Sequence, residues 1–124
     1  PAAPQRAALV RNVPLRWGDF ELTLLDRADG EGLVLRAPRE GETLCAASCG
    51  ASAYLTLPGA NGARSVKRLC IDRRILPLVR DALPAIYLGG RLAAVWRLGT
   101  DEAFAPREGE PSCFVRVSPA EAAT

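Results

Sequence analysis

The stretch Ser65–Trp96, "SVKRLCIDRRILPLVRDALPAIYLGGRLAAVW", decides how the chain reads. A serine before an apolar-periodic run predicts a helix N-cap at Ser65. Val66, Leu69 and Cys70 follow at i, i+3 and i+4 and define a buried stripe. On a 3.6-residue period Arg64, Arg68 and Asp72 stack on the opposite side, and Lys67 and Arg74 share a flank. Arg73 sits near the stripe's edge at the C-terminal end, where its charge suits the helix dipole. Pro77 fits the first turn of a second helix, where its missing N–H is harmless, and Pro84 ends that helix. "AIYLGGRLAAVW" predicts a hairpin with Gly89-Gly90 as its two-residue loop. Alternation puts Leu92, Ala94 and Trp96 on one side, and Arg91, Ala93, Val95 and Arg97 on the other.

Short strands surround this helix-break-helix insert. "VPLRWGDFELTLLD" reads as two strands about Gly18-Asp19, with Phe20, Leu22 and Leu24 alternating against Glu21 and Thr23. Asp29-Gly30 marks a turn before a strand over Leu33–Ala37. Residues 43–52 are rich in small side chains and ambiguous. Ala53–Leu57 and Cys113–Val117 read as further strands, and the stretch after Trp96 reads mostly as loop. The fold class is therefore α+β: small antiparallel sheets or a sandwich around one helical insert. Residues 1–12 read as a linker remnant or loose N-terminus, 13–118 as one domain, and 119–124 as a frayed tail.

At 124 residues a single domain buries roughly two-thirds of its unfolded surface, enough for one apolar core. A formal net charge of +2 excludes a global field that draws the protein to nucleic acid or membrane, so an electrostatic partner must meet a local patch. Lys67 is the only lysine among 16 basic residues. Arginine presents a planar fork suited to phosphate oxygens, although a coding bias towards arginine yields the same composition. The chain contains no Met, which fits a piece of a longer protein. No apolar run reaches the roughly 20 residues of a membrane span, and no signal peptide is visible, so a cytoplasmic location without membrane contact is expected. Cys45, Cys49, Cys70 and Cys113 lack zinc-knuckle spacing and any His to complete a site, and read as structural or incidental thiols, with a disulfide as the lesser alternative.

Within 64–81 six basic residues face two acidic ones, Asp72 and Asp81. A solvated helix face is the plain reading of such a cluster. A phosphate-binding patch is the functional one, and it predicts salt-dependent affinity. No histidine exists to act as a base and no carboxylate pair is recognisable, so catalysis by this stretch of chain alone is not expected.

The order of basic helix, Pro77, "LVRDALP" and hairpin resembles the C-terminal domain of tRNA(Ile)-lysidine synthetase. Lys67, Arg68 and Leu69 match that family's basic helix. Arg80, Asp81, Leu83 and Pro84 match its "LRDRLP" motif, and Gly90, Leu92, Ala94 and Val95 match its following strand. Upstream, Arg36, Arg39 and Gly41 match the family's "R-x-R-x-x-G-D-R", with Glu42 in place of the usual Asp and Leu44 near where a second Arg is common. The resemblance spans about Leu33–Leu98. It implies a fold related to modules of phenylalanyl-tRNA synthetase, and a tRNA-gripping role near the acceptor end. The whole enzyme, a ligase of tRNA modification, joins lysine to the wobble cytidine of an isoleucine tRNA using ATP. Its Ser-Gly-Gly-x-Asp-Ser phosphate loop is missing from this chain, so no cofactor is expected here and ATP binding belongs to the parent enzyme. Expected tRNA contacts are Arg36, Arg39, Arg64, Lys67, Arg68, Arg73, Arg74 and Arg80.

One alternative stays open, a protein-interaction or dimerisation module without RNA binding. Tyr87 and Trp96 of the hairpin would then form the contact, with the arginines as a solvated rim. A homodimer is among its partners.

Overall fold

The computed structural model of the chain describes residues 6–50 and 52–120. Two antiparallel sheets face each other. One has the order β1 (Ala7–Ala8), β5 (Leu44–Ala47), β8 (Ala85–Leu88), β9 (Arg91–Val95), β10 (Gly99–Thr100). The other has the order β2 (Leu15–Trp17), β3 (Phe20–Leu25), β11 (Ser112–Pro119), β4 (Gly32–Arg36). Between them lies the larger core, with Trp17, Leu22, Leu35, Val115 and Val117 from one sheet and Leu44, Ile86 and Leu88 from the other. Burying such side chains is worth roughly 1.5–3 kcal/mol each, which holds the sheets together.

The outer face of the five-stranded sheet is also covered. A ribbon of β6 (Tyr54–Leu55) and β7 (Arg64–Ser65) leads into α1 (Val66–Asp72), followed by α2 (Pro77–Ala82). Beneath α1 a second core joins Leu55, Val66, Leu69, Cys70, Ile75 and Leu83 to Ala85 and Val95 of the sheet. The α+β class follows: mostly antiparallel sheet, with one short helical corner.

Several expectations are corrected. The ambiguous segment 43–52 holds β5, a strand buried between β1 and β8. Its small residues Ala46 and Ala47 are 0% and 8% exposed, so close packing rather than looseness explains the composition. Residues 1–5 and 121–124 lie outside the described residues. Of the supposed linker, however, Ala7 pairs with Ala46 and Leu9 is buried in the core. Of the supposed tail, Pro119 pairs with Phe20, and the Ala120 N–H donates to the Asp19 carbonyl at 2.8 Å.

The hairpin over Gly89-Gly90 forms as expected, but its simple alternation fails. The register passes from Ile86↔Ala94 to Tyr87↔Leu92, which leaves Ala93 as an extra residue. Such a bulge reverses the phase of the strand. Ala93 and Ala94 therefore both face the inter-sheet core, while Leu92 and Val95 both face α1.

At the start of β4, glycine is required by space. A Cβ on Gly32 would lie 2.2 Å from the Val115 carbonyl oxygen and 2.5 Å from the Phe114 ring.

Candidate nucleic-acid interface

The helix that carries the basic cluster is fixed at both ends. At its start the Ser65 hydroxyl accepts from the Arg68 N–H at 3.0 Å, the expected cap. Val66, Leu69 and Cys70 are buried, as their spacing predicts. At its end the Arg74 N–H donates to the Ile71 carbonyl at 3.0 Å and the Ile75 N–H to the Cys70 carbonyl at 2.8 Å. These two bonds form a Schellman motif, closed by packing of Ile75 against Leu69 and Cys70. The left-handed position of that motif, usually glycine, is occupied by Arg74 at φ +58°.

On this scaffold four expected contacts present their side chains to solvent: Arg64, Lys67, Arg68 and Arg74. Arg64 is not part of the helix. It lies in β7, paired with Leu55, one residue before the cap. Arg68 keeps an i,i+4 ion pair with Asp72 at 3.3 Å, with its side chain 63% exposed. An exposed pair of this kind is worth only a few tenths of a kcal/mol, so an incoming phosphate can compete for the guanidinium. Arg73 is exposed, but one of its guanidinium nitrogens donates to the Arg97 carbonyl, which ties the end of α1 to the end of the hairpin.

Beside the helix a groove of about 450 Å³ opens between α1 and the β6–β7 ribbon. Leu55, Leu57 and Leu69 form its apolar floor. Arg64, Arg68, Asp72 and Arg73 form its rim. The far wall is held from below: the Thr56 N–H donates to an Asp101 carboxylate oxygen at 2.9 Å, and the Glu102 N–H to the Thr56 carbonyl at 2.7 Å.

The structure sets the other three expected contacts apart. Arg36 is 7% exposed and its guanidinium makes a bidentate bridge to Glu42, at 2.8 and 3.0 Å. It also lies over the Phe104 ring, at 5.4 Å. Enclosed and already forked onto a carboxylate, Arg36 is a clasp of the β4–β5 turn and not a free phosphate contact. The bridge from Arg36, joined by the Arg39 backbone N–H, holds the Glu42 carboxyl down to about 2. Arg39 is exposed, with a pair to Glu110 at 3.4 Å, in the loop between β4 and β5 and outside the helical corner. Arg80 has a side chain only 16% exposed, 3.3 Å from Asp81. Its charge lies close enough to Cys49 and Cys70 to oppose the upward push of burial on both thiols. It supports the corner from inside.

One surface went unread in the sequence. α2 has no buried residue, and Ile71, Leu76, Leu78 and Val79 form an exposed apolar tip beside the cations. Nothing in the sequence signals it, because Leu76, Val79 and Leu83 at i, i+3 and i+7 read as a stripe to bury, yet only Leu83 is buried. The hairpin aromatics are not at the surface in the way an interaction module needs. Tyr87 and Trp96 are half-buried and pack on the second core.

Two facing antiparallel sheets with an arginine-bearing helical corner define a class of small mixed domain. A solved structure of that class, "Crystal structure of TILS C-terminal domain", superposes with a TM-score of 0.72. It is 15% identical, and the match covers 94% of this chain and 98% of that one. The family profile described as "TilS substrate C-terminal domain" matches residues 36–117, and the chain belongs to that family. No curated protein matches the chain.

Proposed function

We propose that this chain is the tRNA-binding C-terminal domain of a tRNA(Ile)-lysidine synthetase. It acts in the cytoplasm and positions an isoleucine tRNA while a catalytic domain outside this chain uses ATP to join lysine to the wobble cytidine. Family membership supports the assignment. The observation that carries it is the corner itself: Arg64, Lys67, Arg68 and Arg74 exposed around one capped helix, with Arg68–Asp72 the only ion pair they make among the described residues. Phosphate and ribose contacts need charge held in place more than base readout, and double-stranded RNA offers side chains little else. Binding energy gathered far from the reacting base then serves to orient it.

The test is a salt titration of labelled isoleucine tRNA binding. Four phosphate contacts give a log–log slope of about −3.6, a loss of roughly 150-fold in affinity between about 50 and 200 mM salt. Absence of binding at the low end, or a slope near zero, would refute the reading.

The apolar tip favours a second reading, a protein contact that includes a second copy of the chain. Leu76 and Leu78 are 69% and 86% exposed, more than a scattered surface leucine needs. Sedimentation that shifts with protein concentration, together with no tRNA affinity, would establish it.

A further inference from the structure

The groove between α1 and the β6–β7 ribbon does not suit a helical backbone. A phosphate-tracking surface needs only exposed charge, yet this groove has an apolar floor of Leu55, Leu57 and Leu69 below its guanidinium rim. Its volume of about 450 Å³, open on one side, matches one small ligand rather than a duplex. We propose that it takes a single unpaired nucleotide of the bound RNA, a base carrying an amino group; this rests on the tRNA-binding reading.

The chemistry of each part points the same way. Leu57, partly exposed over the buried Leu55 and Leu69, offers the flat face of a base an apolar surface. Arg64 makes no ion pair among the described residues and stands at the mouth, where a phosphate would lie. Asp72, on the rim of the groove, lies 3.3 Å from Arg68, keeps its side chain 46% exposed and accepts no hydrogen bond among the described residues. A carboxylate oxygen accepts hydrogen bonds and donates none, so it selects the exocyclic amine of cytosine over the carbonyl of uracil. The charge of Arg68 also shields the incoming phosphate from Asp72. The pinning of Thr56 by Asp101 keeps the wall in place before RNA arrives.

The experiment uses the full 124-residue chain and three RNA hairpins: blunt-ended, with one unpaired 3′ cytidine, and with one unpaired 3′ uridine. The cytidine hairpin is expected to bind about tenfold tighter than the blunt one, as one seated base allows, and tighter than the uridine hairpin. Ala60→Trp fills the groove and brings the cytidine hairpin down to the blunt one. Asp72→Asn erases the preference for cytidine over uridine. Methyl NMR provides an independent measurement: cytidine monophosphate is expected to shift Leu55, Leu57 and Leu69, and inorganic phosphate to leave them in place. Equal affinity for all three hairpins overturns the nucleotide site while leaving backbone binding intact. Methyl shifts from phosphate alone overturn it as well. Loss of binding to every hairpin, blunt included, removes the tRNA reading and the site with it.

Discussion

Arg74 occupies the one place in the basic corner where function and stability pull apart. It ends α1 at φ +58°, in the left-handed conformation of a Schellman motif. Crowding of Cβ against the following carbonyl costs an L-residue about 1–2 kcal/mol in this conformation. Glycine escapes that cost but loses more chain entropy on folding, by about 0.5–1 kcal/mol. Arg74→Gly is therefore expected to stabilise the fold by about 0.5–1 kcal/mol, a rise of roughly 2–5 °C in Tm. The same change deletes an exposed cation and should lower the salt slope of tRNA binding by about 0.9. Urea unfolding and anisotropy titrations on the two proteins measure both quantities. A variant that is less stable than the parent would refute the strain argument. A variant that is more stable but keeps the full slope would remove Arg74 from the interface.

Reversing charge at Lys67 and Arg68 together with Glu should halve the salt slope to about −1.8, with Tm nearly unchanged because both side chains project into solvent. Gly32→Ala places a methyl 2.2 Å from the Val115 carbonyl oxygen and should cost about 3 kcal/mol of stability, read by urea denaturation. The Glu42 carboxyl, held from its usual 4.5 down to about 2, favours the folded state while ionised. That contribution is complete above about pH 4.5 and is lost as pH falls through 2, so Glu42→Gln should flatten the acid limb of the stability curve. Burial pushes the Cys113 thiol up to about 11, and iodoacetamide at pH 8 should label it only after unfolding, as followed by mass spectrometry.

The helical corner was legible because its determinants are local. A capping serine, a stripe at i, i+3 and i+4 and a proline at the first turn of α2 each act within a few residues. The sheet order was not, because β11 lies between β3 and β4 through pairings that no short window contains. Residues 43–52 hid β5 for a related reason: alanines gain their burial from β1 and β8, not from their own pattern. The bulge at Ala93 breaks a period that sequence alone continues. Among the site residues, exposure separated what composition had joined. Arg64, Lys67, Arg68 and Arg74 reach solvent, whereas Arg36 meets Glu42 across a tight turn and Arg80 folds under the helices. The acidic residue six positions after Arg36 was the readable hint of that clasp.

The position of β11 also bears on how the protein is made. Its two neighbours, β3 and β4, wait unpaired on facing edges until Ser112–Pro119 has left the ribosome. At ordinary elongation rates of about 5–20 residues per second, the stretch from Arg36 to Ser112 takes several seconds to synthesise. During that time the nascent chain carries two open strand edges that other chains can pair with. A chaperone that covers those edges during synthesis should therefore raise the soluble yield of this domain.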